Sequence, residues 1–124
     1  MRTIALEEHF ASPAFVEGPG KGIRDQANNP ENPMARIFEQ LTDLGGRRIA
    51  ATDAAGIDVQ VVSLNSPGAG QLEPAEAVAV AHETDDFLAE AVKRHPSRSA
   101  GLATLPTAAP DKAAGELNHE LSFS

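Results

Sequence analysis

The chain has no cysteine, tryptophan or tyrosine, and its aromatic complement is five phenylalanines in 124 residues. Without thiols there is no disulfide, thiolate zinc site, Fe–S cluster or cysteine nucleophile, so any metal must be held by histidine and carboxylates. Basic side chains are also few: 10 Lys and Arg stand against 18 Asp and Glu, a formal net charge of −8. Lacking a basic stripe and rings to stack on bases, the protein is not expected to bind nucleic acid. No apolar run approaches the ~20 residues of a membrane span, and Met1-Arg2-Thr3-Ile4 leads into acids rather than a signal-type stretch. A cytoplasmic protein with no membrane partner is expected. Catalytic signatures are missing too. There is no Gly-x-Ser-x-Gly elbow, Gly18-Pro19-Gly20-Lys21-Gly22 lacks the Walker spacing, and Gly68-Ala69-Gly70 lacks the third glycine of a dinucleotide fingerprint.

What is present suits one α/β domain, with a 41% hydrophobic share sufficient for a core. Thr3-Ile4-Ala5-Leu6 starts a short apolar run that passes into Glu7-Glu8-His9-Phe10 and reads as strand one. Ala11 to Pro33, rich in Gly, Pro and Asn, reads as a long, mobile loop in the position of a lid. Met34, Ile37, Phe38, Leu41 and Leu44 recur at helical spacing, and the pattern resumes after Gly45-Gly46, which predicts one helix kinked at the glycines. Gly56 is placed to end it in the left-handed conformation, with Ile57 folding back on the last turn. Val59, Val61, Val62 and Leu64 form strand two, β-branched and nearly continuous as in a strand buried on both faces. Pro74 opens a helix that runs to His95-Pro96. Ala100 to Leu105 is a third short strand, and Pro110-Asp111 begins a last helical pattern through Ala114, Leu117 and Leu121. The order predicts parallel strands joined by crossovers, yet three βα units cannot close a barrel and leave both sheet edges open.

The string Leu6-Glu7-Glu8-His9-Phe10 carries the most chemistry. Side chains alternate along a strand, so Glu7 and His9 project on one face and Glu8 on the other. A carboxylate and an imidazole at a strand's carboxyl end suit Zn²⁺, Mn²⁺ or Fe²⁺, and such ends are where α/β barrels place their active sites. A solvated acidic strand end has the same pattern, and spacing alone leaves both readings open. The remaining histidines, His82, His95 and His119, fall in helical segments and read as surface residues, with His95 suited to a helix C-terminus.

Four blocks occur in order along the chain: Ile4-Ala5-Leu6-Glu7-Glu8-His9-Phe10, Ala54-Ala55-Gly56-Ile57-Asp58-Val59-Gln60-Val61, Leu64-Asn65-Ser66-Pro67-Gly68 and Gly101-Leu102-Ala103-Thr104-Leu105-Pro106. Together they resemble the amidohydrolase-related aromatic-acid decarboxylases, which include the γ-resorcylate and 2,3-dihydroxybenzoate decarboxylases. The resemblance implies an α/β fold, a partial TIM-type (β/α)8 barrel made of its first three βα units. Residues 1-124 would then be the N-terminal fragment of a single barrel domain. In that family the first strand carries a Glu-x-His or His-x-His pair on a catalytic divalent metal, Zn, Mn or Mg; Glu7 and His9 match the Glu-x-His form, and Asn65 and Ser66 would lie near the substrate.

The family completes its metal site with a histidine from a middle strand and an aspartate from the last, which have no counterpart here. From Asn118 to Ser124 the sequence also departs from the family pattern, as a truncated gene or shifted reading frame would produce. The implied activity is loss of CO2 from a hydroxyaromatic or related carboxylic acid, and homo-oligomers are possible in a full-length relative. Metal-dependent hydrolysis on the same scaffold is the alternative. A non-catalytic remnant or binding module is the third, and the isolated chain is expected to be inactive.

Overall fold

The computed structural model describes residues 1–121, with side chains through 119. The elements run β1 (Ile4–Phe10), α1 (Pro13–Glu17), α2 (Lys21–Ala27), α3 (Met34–Thr42), α4 (Gly46–Ala54), β2 (Val59–Leu64), α5 (Pro74–Arg94), β3 (Ser99–Gly101) and α6 (Pro110–Leu121). The strands form one open sheet in the order β1-β2-β3, and both pairings are parallel.

Register decides which side chains share a face. Ala5 pairs with Gln60, Glu8 with Val62 and Phe10 with Leu64, whereas Ile4 pairs with Val59 and His9 with Ser63. Gln60, Val62 and Phe10 are buried and Ile4 is exposed, so the first set faces the helices and the second the open side. Between Ala5 and Glu8 the pairing slips, placing Leu6 and Glu7 opposite the single residue Val61. This is a β-bulge, which reverses the alternation locally and kinks the strand. The core lies between the helix side of the sheet and α5, where Phe10, Leu44, Val62, Leu88 and Ala91 are buried with Phe87 and Leu64 against them. The Phe10 and Phe87 rings stack with centroids 6.3 Å apart.

Ala11–Pro33 is not a loop; it contains α1 and α2. Ser12 caps α1, its Oγ accepting from the Phe15 amide at 3.1 Å, and Pro13 occupies the first turn, where a missing N–H costs nothing. The Ser12 hydroxyl also bonds Thr84 Oγ1 at 2.7 Å, fully buried, and so ties α1 to α5. The Pro and Gly residues that argued for a loop mostly punctuate helices of 5 and 7 residues. The predicted kinked helix is likewise two helices, because Asp43 is extended and its carboxylate accepts from the Gly45 amide at 2.7 Å, an Asx turn that breaks the run. Gly56 has φ +73°, and the amides of Ile57 and Gly56 donate to the carbonyls of Thr52 and Asp53, the Schellman closure anticipated for α4.

The third strand is shorter than predicted, ending at Gly101 rather than Leu105. The Leu102 amide still reaches the Val62 carbonyl at 2.9 Å, but the Thr104 amide turns to the buried Asp85 carboxylate at 2.7 Å. Gly101 lies hard against α5, since a Cβ there would come 2.4 Å from Leu88 Cδ2. α6 forms from Pro110 as the periodicity predicts, packing on α5. Ser122, Phe123 and Ser124, the end of the divergent stretch, lie outside the described residues.

Candidate metal centre

At the carboxyl end of β1, His9 is exposed on the open side opposite Ser63, and Glu7, in the bulge, is exposed as well. Glu8 lies on the opposite side with Gln60 and Arg48, facing a groove of about 470 Å³ that also contains Arg36, Asp43 and Arg47. That groove is on the helix side of the sheet and touches neither Glu7 nor His9.

Two residues hold His9 in place, and sequence reading missed both. Ser63, its register partner on β2, brings its hydroxyl within 3.3 Å of His9 Nδ1. An imidazole engaged at Nδ1 presents Nε2 as its other donor atom. Arg48 of α4 reaches back to the His9 carbonyl with Nη2. Burial pushes the Arg48 guanidinium down from its usual range, while Glu8 and Asp43 pull it back up. The only signal for Ser63 was its place in strand two, one residue before the Leu64-Asn65 block; nothing near Arg48 marks it.

Asn65 stands just beyond β2, and its backbone amide donates to the Phe10 carbonyl at 2.9 Å, extending the β1–β2 ladder. Its side-chain amide turns onto the Ser66 carbonyl at 3.1 Å, and Ser66 is exposed. The carboxyl ends of the first two strands therefore bring Glu7, His9, Ser63, Asn65 and Ser66 into one neighbourhood. An exposed carboxylate and an imidazole with a free ring nitrogen are a chemically suitable donor pair for a divalent first-row ion. They are two ligands where an open catalytic site usually has three.

No family model matches the chain. The γ-resorcylate decarboxylase of Polaromonas sp. strain JS666 is 35% identical over 124 residues, which is 97% of this chain and 36% of the relative. A dihydroxybenzoic acid decarboxylase structure from Polaromonas sp. JS666, with bound manganese and the inhibitor 2-nitroresorcinol, matches at TM-score 0.81 and 33% identity over 98% of this chain and 36% of that one. The chain is thus similar to the amidohydrolase-related γ-resorcylate decarboxylases over an N-terminal portion of their length. It spans about a third of the length of these decarboxylases. Within the wider set of aromatic-acid decarboxylases, the 5-carboxyvanillate enzyme of Novosphingobium aromaticivorans, with manganese and 4-hydroxy-3-methoxy-5-nitrobenzoic acid, matches at TM-score 0.75 and 33% identity over 90% of this chain and 35% of that one. The relatives thus share a metal and differ in the aromatic acid they take.

Of the other histidines, His95 is the C-cap residue of α5. His82 and His119 come together where α5 meets α6. No helix among the described residues is long and apolar enough to cross a membrane.

Proposed function

We propose that this chain forms the first βα units of a metal-dependent carboxy-lyase acting on a hydroxyaromatic or related carboxylic acid, with Glu7 and His9 as two of its metal ligands. The observation that carries the reading is the His9 imidazole, engaged by Ser63 at Nδ1, on the open side of the sheet at the carboxyl ends of parallel strands. A divalent ion held there would supply Lewis-acid polarisation of the substrate carboxylate or a ring hydroxyl and a template for its orientation. Ser63 sets the ring's orientation and leaves Nε2 to the ion, as partners behind ligating histidines do. Arg48 anchors the strand end that carries both ligands. Asn65 and Ser66 stand at the neighbouring strand end, in reach of a carboxylate or phenol bound above the sheet. The manganese and the nitro-aromatic ligands of the related structures support this reading.

Two ligands hold an ion weakly, and the open side of a three-stranded sheet does not enclose a substrate. The 124-residue chain, assayed with γ-resorcylate and Mn²⁺, should give no turnover. Residues 1–119 grafted in place of the matching third of the Polaromonas enzyme should support it. In that graft His9→Ala should lower kcat/KM by ~10²-fold or more, through loss of a metal ligand. Turnover by the short chain alone would refute the need for later ligands, and an active graft indifferent to His9→Ala would refute the ligand assignment.

A further inference from the structure

Where α6 packs on α5, the two helices face each other across a polar cluster. His82 and Asp86 are one helical turn apart on α5, and Glu116 and His119 three residues apart on α6, so each pair shares a helix face. His119 Nε2 lies 2.6 Å from Asp86 Oδ1, and His82 Nε2 lies 3.4 Å from Asp86 Oδ2. The two imidazoles stack, with centroids 4.3 Å apart. One donor atom from each of His82, Asp86 and His119 falls within a 4.8 Å spread.

Glu116 gives the cluster its direction. Its residue is 7% exposed, its Oε2 sits 3.2 Å from His82 Nδ1, and its Oε1 has no hydrogen-bond partner among the described residues. A buried carboxylate against Nδ1 holds the Nδ1–H tautomer and turns Nε2, as a ligand nitrogen, toward Asp86 and His119.

We propose that His82, Asp86 and His119 form a Zn²⁺-class site between α5 and α6, with Glu116 as the carboxylate behind His82. Ligand atoms ~2.0–2.2 Å from a tetrahedral ion lie ~3.4 Å apart, so modest side-chain closure converts the cluster into a site with its fourth position open to water. Mn²⁺ binds such a site more weakly than Zn²⁺. The ion would join α6 to α5, and the site is independent of Glu7 and His9.

The test is direct, because the chain has only four histidines. Zn²⁺ alone is titrated into the 124-residue protein while the imidazole signals are followed by ¹⁵N-edited NMR, with Co²⁺ absorption as a second readout. The expected result is one equivalent bound, with His82 and His119 shifting together, His95 unmoved, and the same response in a Glu7→Ala/His9→Ala variant. Affinity should fall at least ~10-fold in His119→Gln and ~10–100-fold in Glu116→Gln, with helical circular dichroism retained. Wild-type His82 and His119 signals that ignore excess Zn²⁺ would overturn the proposal without recourse to any variant. Unchanged affinity in folded His119→Gln would overturn it as well.

Discussion

The two faces of the same three-stranded sheet are used in opposite ways. Toward the helices, Phe10 and Val62 pack with Leu88 and its neighbours, and the buried Gln60 donates from Nε2 to Ser99 Oγ at 3.1 Å. Toward the other side, Ile4 is 48% and Leu6 66% exposed beside Glu7 and His9. Stability is concentrated on one face and the proposed ligand His9 lies on the other, so substitutions one position apart along β1 should have unrelated consequences.

Phe10→Ala tests this most severely. It removes a ring from the packed face and should cost ~3–5 kcal/mol, enough to unfold a marginal domain, as read by urea denaturation. Leu88→Ala, on the α5 side of the same contact, should cost ~2–5 kcal/mol. Next comes Arg98, whose guanidinium joins Asp53, the Thr52 hydroxyl and the carbonyls of Ile57 and Asp58, so that it clamps the α4–β2 turn to the start of β3. Arg98→Ala should lose ~1–3 kcal/mol in the same measurement, since several bonds to a partly buried cation go at once. At the small end, Leu6→Lys on the open face should change stability by no more than ~0.5 kcal/mol and should reduce self-association seen by light scattering. A large loss from Leu6→Lys, or a small one from Phe10→Ala, would mean that the faces have been assigned the wrong way round.

Much of this division was legible in the sequence. The parallel βα order, the Schellman glycine at Gly56, the proline-opened helices at Pro74 and Pro110, and Glu7 with His9 at the end of strand one all follow from local pattern. What was not legible depends on tertiary partners. By composition Ala11–Pro33 reads as a loop, its glycines and prolines outweighing the local signal that Ser12-Pro13 is a cap followed by a first-turn proline. Phe15 is 1% exposed, and the core contact that secures α1 lies far along the chain. Hydrogen exchange should accordingly find amides in Val16–Ala27 better protected than those in Asn28–Pro33, where turns replace helix. The third strand ended early because Asp85, 19 residues away, claims the Thr104 amide. Ser63 and Arg48 reach His9 from 54 and 39 residues away, and the His82–His119 pair exists only once α6 has docked.

The bulge in β1 is a parity switch. Ala5 and Phe10 stand five positions apart, an odd number that uninterrupted alternation would send to opposite sides, yet both pair with residues of the helix-facing row. One surplus residue between them shifts the phase, so the half of the strand that enters the sheet at Ile4 and the half that bears Glu7 and His9 keep separate reading frames for in and out. A deletion at Leu6 would restore strict alternation without exchanging the faces of Glu8, His9 and Phe10, whereas a deletion at His9 would carry Phe10 out of step with Leu64. The same strand thus tolerates a change of length at one point and forbids it three residues later.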